Sequence, residues 1–230
     1  MRAHLRRLPA LSENSMDELK NLIANFEKED YFEKVNLHIH SNCSDGVLSS
    51  HEIIKKAQKI NLEHISITDH NSLEAYDSID LDKIEDINVI AGIEFDCWHK
   101  TDFMHILGYG FDLNDKNLRK LCAKDKRETR LDIVRIFSQK KSPEVIKTIR
   151  DAGGISVLAH PACCWSLNLE KMVEELISYG LDGIELYYPY VRHRKIVKFH
   201  SIKKIAEIAE KNNLLITGGT DCHSEKLDAI

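Results

Sequence analysis

The sequence predicts an α/β fold in which seven strands close, or nearly close, into a β/α barrel. Short runs of β-branched and other apolar residues alternate with longer amphipathic helical patterns, which is typical of parallel strands joined by helices. The chain has 230 residues, and single β/α barrels run to roughly 200–250 residues. Its composition, 43% hydrophobic and 30% charged, is that of an ordinary globular protein and argues against disorder or a coiled coil.

Seven apolar runs from residue 35 onward are the strand candidates. They are Val35–His40, His64–Thr68, Asn88–Phe95, Met104–Phe111, Ile155–Ala159, Gly183–Tyr188 and Leu214–Gly218. Among the helical patterns, Ser49–Ile60 begins with a serine cap and Ser142–Asp151 has a proline in its first turn. Leu169–Ser178 and Lys195–Lys211 repeat the same apolar spacing. The strands that these helices connect are therefore expected to be parallel.

Two segments depart from this alternation of strands and helices. Residues 1–34 are polar and charged, with a short helix predicted around Asp17–Glu29, and we interpret them as an N-terminal extension of a barrel domain over residues 35–230. The longest connection, about residues 112–141, is highly charged and has helical spacing. We predict that it forms a helical insertion over the barrel mouth.

Charge and cysteine usage narrow the class of protein. The net charge is −5, from 32 Lys+Arg against 37 Asp+Glu, so no stable nucleic-acid complex is expected. The longest apolar stretches are well short of the roughly 18–20 residues that a membrane span needs. The six cysteines form no C-x-x-C pair, and no secretory signal precedes them. We therefore expect reduced thiols and a cytoplasmic protein with no membrane partner.

Histidines and carboxylates recur where the predicted strands end. His38 and His40 alternate along the first strand and so point to the same side. The others that follow or end strands are Asp45, His70, Glu94, His105, His160, Asp221 and His223. His105 fits least well because it lies near the start of its strand. In β/α barrels the C-terminal end of the strands is where sites are built. The remaining histidines, including His64 and His99, are expected on the surface.

Nine such side chains at one rim would be costly to hold unpaired, because buried like charges repel and isolated carboxylates are poorly solvated. Divalent cations resolve both problems. A set of six imidazoles and three carboxylates suits Zn, Mn or Fe and contains too much nitrogen for calcium or magnesium. Nine ligands exceed one coordination sphere, so the sequence predicts two to three divalent metal ions.

The same residues lie in motifs that resemble the PHP (polymerase and histidinol phosphatase) superfamily. The motifs are His38-Ile39-His40, Ser44-Asp45-Gly46, Thr68-Asp69-His70, Gly92-Ile93-Glu94, His105-Ile106-Leu107-Gly108, Ala159-His160-Pro161 and Asp221-Cys222-His223. The resemblance extends from about Val35 to Ser224 and is strongest to small stand-alone phosphoesterases, the nucleotide phosphatase and 5′-3′ exoribonuclease-like branch. Each motif alone is weak, but seven in order are specific.

The resemblance implies a distorted (β/α)7 barrel with a trinuclear metal site at the C-terminal ends of the strands. One metal would take His38, His40, Glu94 and Asp221. A second would take Asp45, His70 and His223. A third would take Glu94, His105 and His160, with Glu94 bridging. Asp69 would orient a ligand, and we assign catalytic roles to Asp45, His70, Glu94 and His223.

Charge arithmetic favours phosphate chemistry. Three divalent ions (+6), three carboxylates (−3) and a bridging hydroxide (−1) give about +2, which complements a phosphomonoester dianion. We therefore expect a hydrolase that cleaves a phosphomonoester by a metal-bound hydroxide, with a nucleotide or short oligonucleotide as the small phosphorylated substrate. The cationic candidates for substrate binding are Arg192, His193, Arg127 and Arg130.

Three alternatives stay open. A histidinol-phosphate-type phosphatase belongs to the same superfamily. A metal-stabilised binding module would keep the ligands without activity. A metal-dependent amidohydrolase also uses a His-x-His motif at a barrel mouth, but it typically has a bridging lysine and a different motif order, and neither is evident in this sequence.

Overall fold

A seven-stranded sheet forms the centre of the molecule, and its strand order follows the chain from β1 to β7. The structure is a computed structural model and describes residues 13–190 and 198–227. The strands are β1 Val35–Ile39, β2 His64–Ile67, β3 Asn88–His99, β4 Asp102–Tyr109, β5 Ile155–Leu158, β6 Gly183–Tyr187 and β7 Leu215–Gly218. The α/β fold class is therefore confirmed, and all seven predicted strands are present.

Ten helices lie around this sheet within the described residues, and they include those predicted at Ser49–Ile60, Ser142–Asp151 and Leu169–Ser178. They are α1 Glu13–Ala24, α2 Asp30–Glu33, α3 Ser50–Lys59, α4 Glu74–Asp77, α5 Lys116–Leu121, α6 Arg127–Arg130, α7 Asp132–Arg135, α8 Ser142–Asp151, α9 Leu169–Tyr179 and α10 Ile202–Lys211. The expected serine cap of α3 is present, because Ser49 and Glu52 form a reciprocal capping box. Part of the helix predicted over Lys195–Lys211 lies outside the described residues.

The direction of β4 corrects the prediction of parallel strands throughout. β4 runs antiparallel to both β3 and β5. β3 continues past its predicted end to His99, and only Lys100 and Thr101 separate it from β4. Two residues can close a hairpin but are too few for the crossover that parallel strands need. The start of β4 therefore lies beside the far end of β3, which brings His105 to the same rim as the other histidines.

The two outer strands of the sheet curl toward each other. The segment after β7 returns to β1, where Asp221 N–H donates to the His38 carbonyl at 2.8 Å and His40 N–H donates to the Cys222 carbonyl at 3.0 Å. The Asn36 side-chain amide also donates to Thr220 Oγ1 at 2.7 Å. These hydrogen bonds join the segment after β7 to β1, as a distorted barrel requires.

Residues before β1 fill one end of the barrel interior. Leu19 and Ile23 of α1 and the ring of Tyr31 are buried in a cluster with apolar side chains from β1, β3, β4 and β5. The Tyr31 hydroxyl also donates to the Ile216 carbonyl at 2.9 Å. The domain boundary at residue 35 stays a prediction, but the segment that precedes it is not a separate appendage, since its side chains complete the apolar core.

The long connection between β4 and β5 reaches the opposite end. It contains three short helices, α5 to α7, where the sequence predicted a helical insertion. From this connection the Arg130 guanidinium donates to the Asn42 carbonyl at 2.7 Å, and the Glu128 carbonyl accepts from the Asn71 side chain at 3.1 Å. Asn42 and Asn71 belong to the loops after β1 and β2, so the connection contacts the rim where the histidines gather.

Candidate metal centre

The nine predicted ligands converge at the rim formed by the ends of β1, β2, β5 and β7, the middle of β3 and the start of β4. They are His38, His40, Asp45, His70, Glu94, His105, His160, Asp221 and His223. Most are fully or nearly fully buried; Asp45, His105, Asp221 and His223 are partly exposed. Three compact groups of potential ligand atoms occur among them, and within each group the atoms lie within 4.8 Å of one another.

The first group is His38, His40, Glu94 and Asp221. His40 Nε2 lies 3.0 Å from Asp221 Oδ1 and 3.2 Å from His38 Nε2. Glu94 Oε2 lies 3.3 Å from the Nε2 atoms of both histidines. These four residues are the set that the family resemblance implied for one metal.

The second group is His40, Asp45, His70 and His223. Asp45 is central to it: Oδ1 lies 3.1 Å from His223 Nε2, and Oδ2 lies 3.7 Å from His70 Nε2. The resemblance implied Asp45, His70 and His223 here. The geometry adds His40, which thereby faces two groups.

The third group is His70, Glu94 and His105. The resemblance implied His160 in place of His70, and His160 is also close, with Nε2 3.1 Å from Glu94 Oε1 and 3.3 Å from His105 Nδ1. His160 has a φ of 28°, in the left-handed region that non-glycine residues rarely adopt. Glu94 contributes to this group and to the first, which agrees with the bridging role expected for it.

The electrostatics of the rim fit divalent cations. Within residues 13–190 and 198–227, Asp45 Oδ1, His70 Nδ1 and Glu94 Oε2 are buried without a hydrogen-bond partner. Burial alone would lower the pKa of His40, but Asp221 and Glu94 outweigh it and raise the pKa to about 10. Burial would likewise lower the pKa of His105, which Glu94 and Asp96 raise to about 9. Imidazoles and carboxylates with unsatisfied atoms aimed at shared points form a donor set suited to metals.

Glu185 is a residue of the site that sequence reasoning missed. It lies on β6 and is fully buried. Its Oε1 lies 2.9 Å from His38 Nδ1, and its Oε2 accepts from the His160 backbone N–H at 2.8 Å. The contact favours protonation of His38 at Nδ1 and leaves Nε2 for the first group. A signal was present: Gly183-Ile184-Glu185 repeats the Gly-Ile-Glu triplet of Glu94, with a glutamate in an apolar strand.

Asp96 and Arg135 were also missed. Asp96 lies two residues after Glu94 and so shares its face of β3. Arg135, from α7, is almost buried, with Nη1 2.6 Å from Asp45 Oδ2 and Nε 3.6 Å from Asp96 Oδ1. The spacing of Asp96 from Glu94 could have revealed it. Nothing distinguishes Arg135 within a long charged stretch, because its role depends on how that connection folds back.

Some predicted residues have other surroundings. Asp69 was expected to orient a ligand, and this stays a prediction. Its carboxylate accepts from the Ser41 backbone N–H at 2.7 Å and from the Ser41 and Ser44 hydroxyls, and Ser44 Oγ lies 3.4 Å from His40 Nδ1. It therefore holds the loop that leads to Asp45. His64 and His99 were expected on the surface, and this was wrong, since both are buried.

The predicted substrate-binding residues are less tightly assembled. Arg127 is exposed, and its guanidinium pairs with Asp125 at 2.6 Å. Arg130 is nearer the rim through its hydrogen bond to the Asn42 carbonyl. Arg192 and His193 lie outside the described residues. The role of all four in substrate binding stays a prediction.

Comparison with known families defines the class of protein. The model of the PHP domain family matches residues 36–158, which is over half of the chain. The chain therefore belongs to the PHP domain family. Together with the relatives below, this makes it a metal-dependent phosphoester hydrolase.

Two relatives and one solved structure illustrate the similarity. A 5′-3′ exoribonuclease of Haemophilus influenzae is 24% identical, covering 66% of this chain and 78% of its own length. A phosphoribosyl 1,2-cyclic phosphate 1,2-diphosphodiesterase of Eggerthella lenta is 21% identical, covering 83% and 94%. A structure from Bifidobacterium adolescentis, described as a metal-dependent phosphoesterase, has a TM-score of 0.66 and 17% identity, covering 84% and 88%. The last similarity concerns the fold.

Membrane insertion has no support in the part of the chain that the structure describes. Across those residues, no helix combines the length and the apolar character that a membrane span needs.

Proposed function

We propose that this enzyme removes a phosphate group from a phosphomonoester, with a nucleotide or short oligonucleotide as substrate, and that it uses two to three divalent metal ions. Mn²⁺, Zn²⁺ and Fe²⁺ are the candidate ions, because imidazoles outnumber carboxylates among the nine rim residues. When bound, the ions supply Lewis acidity and a water-derived nucleophile at neutral pH.

The observation that carries the proposal is the overlap of the three ligand groups. His40 belongs to the first and second groups, His70 to the second and third, and Glu94 to the first and third. The two oxygens of Glu94 can hold neighbouring cations a few ångströms apart, whereas a neutral imidazole can serve only one of the groups it faces. Sites with neighbouring cations act on phosphate esters because both the attacking and the leaving oxygen are stabilised.

The charges of the metal-loaded rim suit an anionic substrate. Imidazoles that coordinate cations are neutral, so the carboxylates of Asp45, Glu94, Asp96 and Asp221 contribute −4 and Arg135 contributes +1, which leaves −3. Two or three divalent cations contribute +4 to +6 and reverse the sign, so the loaded rim attracts a phosphate dianion.

The names of the relatives support a substrate that contains ribose and phosphate. The Haemophilus influenzae relative is named an exoribonuclease, and the Eggerthella lenta relative is named for a phosphoribosyl cyclic phosphate. Arg130, at the edge of the rim, and Arg127, Arg192 and His193 remain the predicted contacts for further phosphates of a nucleotide. Guanidinium groups suit this role because they bind phosphate oxygens in pairs.

The test begins with metal-depleted protein that is reloaded with Mn²⁺, Zn²⁺ or Fe²⁺. We expect hydrolysis of p-nitrophenyl phosphate to exceed that of bis-p-nitrophenyl phosphate. His40→Ala and Asp221→Ala should each lower the rate by roughly a thousandfold, while His51→Ala, a change at an exposed histidine, should not. Equal rates for the wild type and both rim variants would refute the assigned site, and elemental analysis should find two to three equivalents of metal.

A substrate screen then separates the alternatives. It should contain nucleoside monophosphates, nucleoside bisphosphates, short oligonucleotides with a terminal phosphate, ribose cyclic phosphates and histidinol phosphate. We expect the highest kcat/KM among the nucleotides or oligonucleotides. Preference for histidinol phosphate would assign the other phosphatase class, and full metal loading without any turnover would indicate a binding module.

A further inference from the structure

Asp96 is a buried carboxylate without an assigned role. None of its side chain is exposed. Its Oδ2 accepts a hydrogen bond from the Asn71 side-chain amide, and its backbone N–H donates to Asn71 Oδ1 at 3.1 Å. Its Oδ1 makes no well-aligned hydrogen bond among the residues that the structure describes, although two imidazoles and a guanidinium lie near it. Burying an anionic oxygen without a hydrogen bond costs folding free energy, so we expect a hydrogen-bond donor beside Asp96 Oδ1.

Two imidazole rings approach this oxygen. His105 Nε2 lies 3.1 Å from Asp96 Oδ1, and His70 Nδ1 lies 3.3 Å from it. His105 is the residue directly opposite Asp96 in the antiparallel ladder of β3 and β4, so the register of the hairpin sets one of these distances. His70 comes from the loop after β2, which an isolated bridge joins to β3 at Glu94.

The remaining nitrogen of each ring faces a different group of candidate ligands. His70 Nε2 lies 3.7 Å from Asp45 Oδ2, in the second group, while its Nδ1 lies 3.3 Å from both Asp96 Oδ1 and Glu94 Oε2. His105 Nδ1 lies 3.0 Å from Glu94 Oε1, in the third group. A neutral imidazole that coordinates a metal through one nitrogen carries its proton on the other. With both inner nitrogens coordinated, both outer N–H groups would face Asp96 Oδ1.

Arg135 places a buried positive charge beside this carboxylate. Its Nε lies 3.6 Å from Asp96 Oδ1, and only 7% of the Arg135 side chain is exposed. A positive group at this distance favours the charged form of a carboxylate. Asp69 offers a contrast, because its equally buried carboxylate is occupied by the Ser41 and Ser44 hydroxyls.

We propose that Asp96 is a positioning residue that orients the imidazole rings of His70 and His105 toward two neighbouring metal subsites. The proposal rests on the metal dependence of the proposed function and is independent of which substrate is used. A carboxylate behind a metal-binding histidine typically contributes about 10–100-fold in metal affinity. Because Asp96 contacts two rings, its loss is expected to weaken two subsites together.

The first test uses the full-length wild-type protein. In the zinc-loaded protein with ¹⁵N-labelled histidine, long-range ¹H–¹⁵N spectra report which nitrogen of each ring is protonated. We expect His70 to be protonated at Nδ1 and His105 at Nε2, with His70→Gln and His105→Gln used to assign the signals. Protonation of either ring at the opposite nitrogen would overturn the proposal.

The second test compares Asp96→Asn with Glu185→Gln, the same change of a buried carboxylate to an amide on β6. Titration with Zn²⁺ against a chromophoric chelator should show affinity reduced about 10–100-fold at two sites in Asp96→Asn. Glu185→Gln should weaken the site of His38 instead, because its carboxylate contacts that ring. The spectra of the wild type remain decisive if Asp96→Asn does not fold.

The outcomes separate this proposal from the function on which it rests. Wild-type zinc affinities in a folded Asp96→Asn variant, with an active wild-type enzyme, would overturn the positioning role alone. A wild-type protein that binds no zinc would overturn both the positioning role and the proposed metal-dependent function.

Discussion

The two ends of the barrel interior are built from the same strands but differ in chemistry. On β3, Ile90 and Glu94 share one face, and on β4, Tyr109 and His105 share one face. Ile90 and Tyr109 belong to the apolar cluster that Leu19 of α1 completes. Glu94 and His105 face the candidate metal centre. Each strand therefore changes from apolar to ionisable over four residues.

This difference separates the source of stability from the source of activity. The apolar end removes hydrocarbon from water, which favours the folded state at any metal concentration. Among the described residues, the ionisable end has buried atoms that make no well-aligned hydrogen bond, and bound cations would satisfy them. Changes at one end should therefore leave the property that depends on the other end intact.

The largest effect is expected for Glu94→Gln at the ionisable end. Glu94 belongs to two ligand groups, so we expect the rate to fall by roughly a thousandfold. The free energy of unfolding of the metal-free protein should fall by less than a core truncation would cause, because the lost pairing with His40 and His105 is partly offset by the removal of a buried charge. Steady-state kinetics and denaturant titration measure the two properties, with the exposed Glu63→Gln as control. A large loss of stability with full activity would contradict the comparison.

Leu19→Ala tests the apolar end. Leu19 is 2% exposed, and truncation of a buried leucine costs about 2–5 kcal/mol of unfolding free energy. We expect a loss in this range by urea denaturation, with kcat per folded molecule unchanged. Glu18→Ala, at an exposed position of the same helix, is the control. A selective loss of kcat in folded Leu19→Ala would show that the two ends are coupled.

Metal removal should also destabilise the folded protein, by an amount that grows with the number of occupied sites. Ions at 100 times their dissociation constant stabilise the folded state by about 2.7 kcal/mol per site. A chelator should lower the free energy of unfolding of the wild type and of Leu19→Ala by the same amount, since distant sites contribute additively. Thermal unfolding with and without the chelator measures this difference. A chelator effect that disappears in Leu19→Ala would break the separation of the two ends.

The smallest effect concerns His64, at the start of β2. Burial lowers the pKa of His64 below 6.5, and its Nδ1 lies 3.2 Å from the Asn88 side-chain amide. The unfolded chain therefore binds more protons in the window from pH 6.5 down to the folded pKa, and stability falls as the pH falls through that window. His64→Gln should flatten this dependence in metal-free protein, and the exposed His51→Gln should not. If the slope of the unfolding free energy against pH is unchanged in His64→Gln, the pH dependence comes from the histidines of the rim instead.

The strands and the gathering of nine candidate ligands at one rim were predicted well, because both depend on local patterns; their role as metal ligands stays a prediction. Period-two alternation located β1 with His38 and His40, and ordered motifs located the other candidate ligands. The direction of β4 was missed, because its hairpin depends on β3 extending past residue 95 to His99. His105 fitted poorly because it lies near the start of its strand, and the antiparallel direction of β4 places that start at the rim.

Other features depend on contacts between distant parts of the chain. Arg135 reaches Asp45 only because the charged connection folds back to the rim. Tyr31 reaches the Ile216 carbonyl across almost the whole sequence, so its burial could not be inferred from the polar residues around it. His64 and His99 have sequence neighbours typical of a surface, and the packing of helices over them decides otherwise.

The two-residue turn between β3 and β4 has a consequence for the order of assembly. Hairpins with short loops form in about 1–10 μs, whereas the union of the first strand with residue 221 must wait for almost the entire polypeptide. The register of this hairpin already sets Asp96 against His105. A chain that has not yet closed the barrel can therefore already hold the Asp96 carboxylate beside the His105 imidazole.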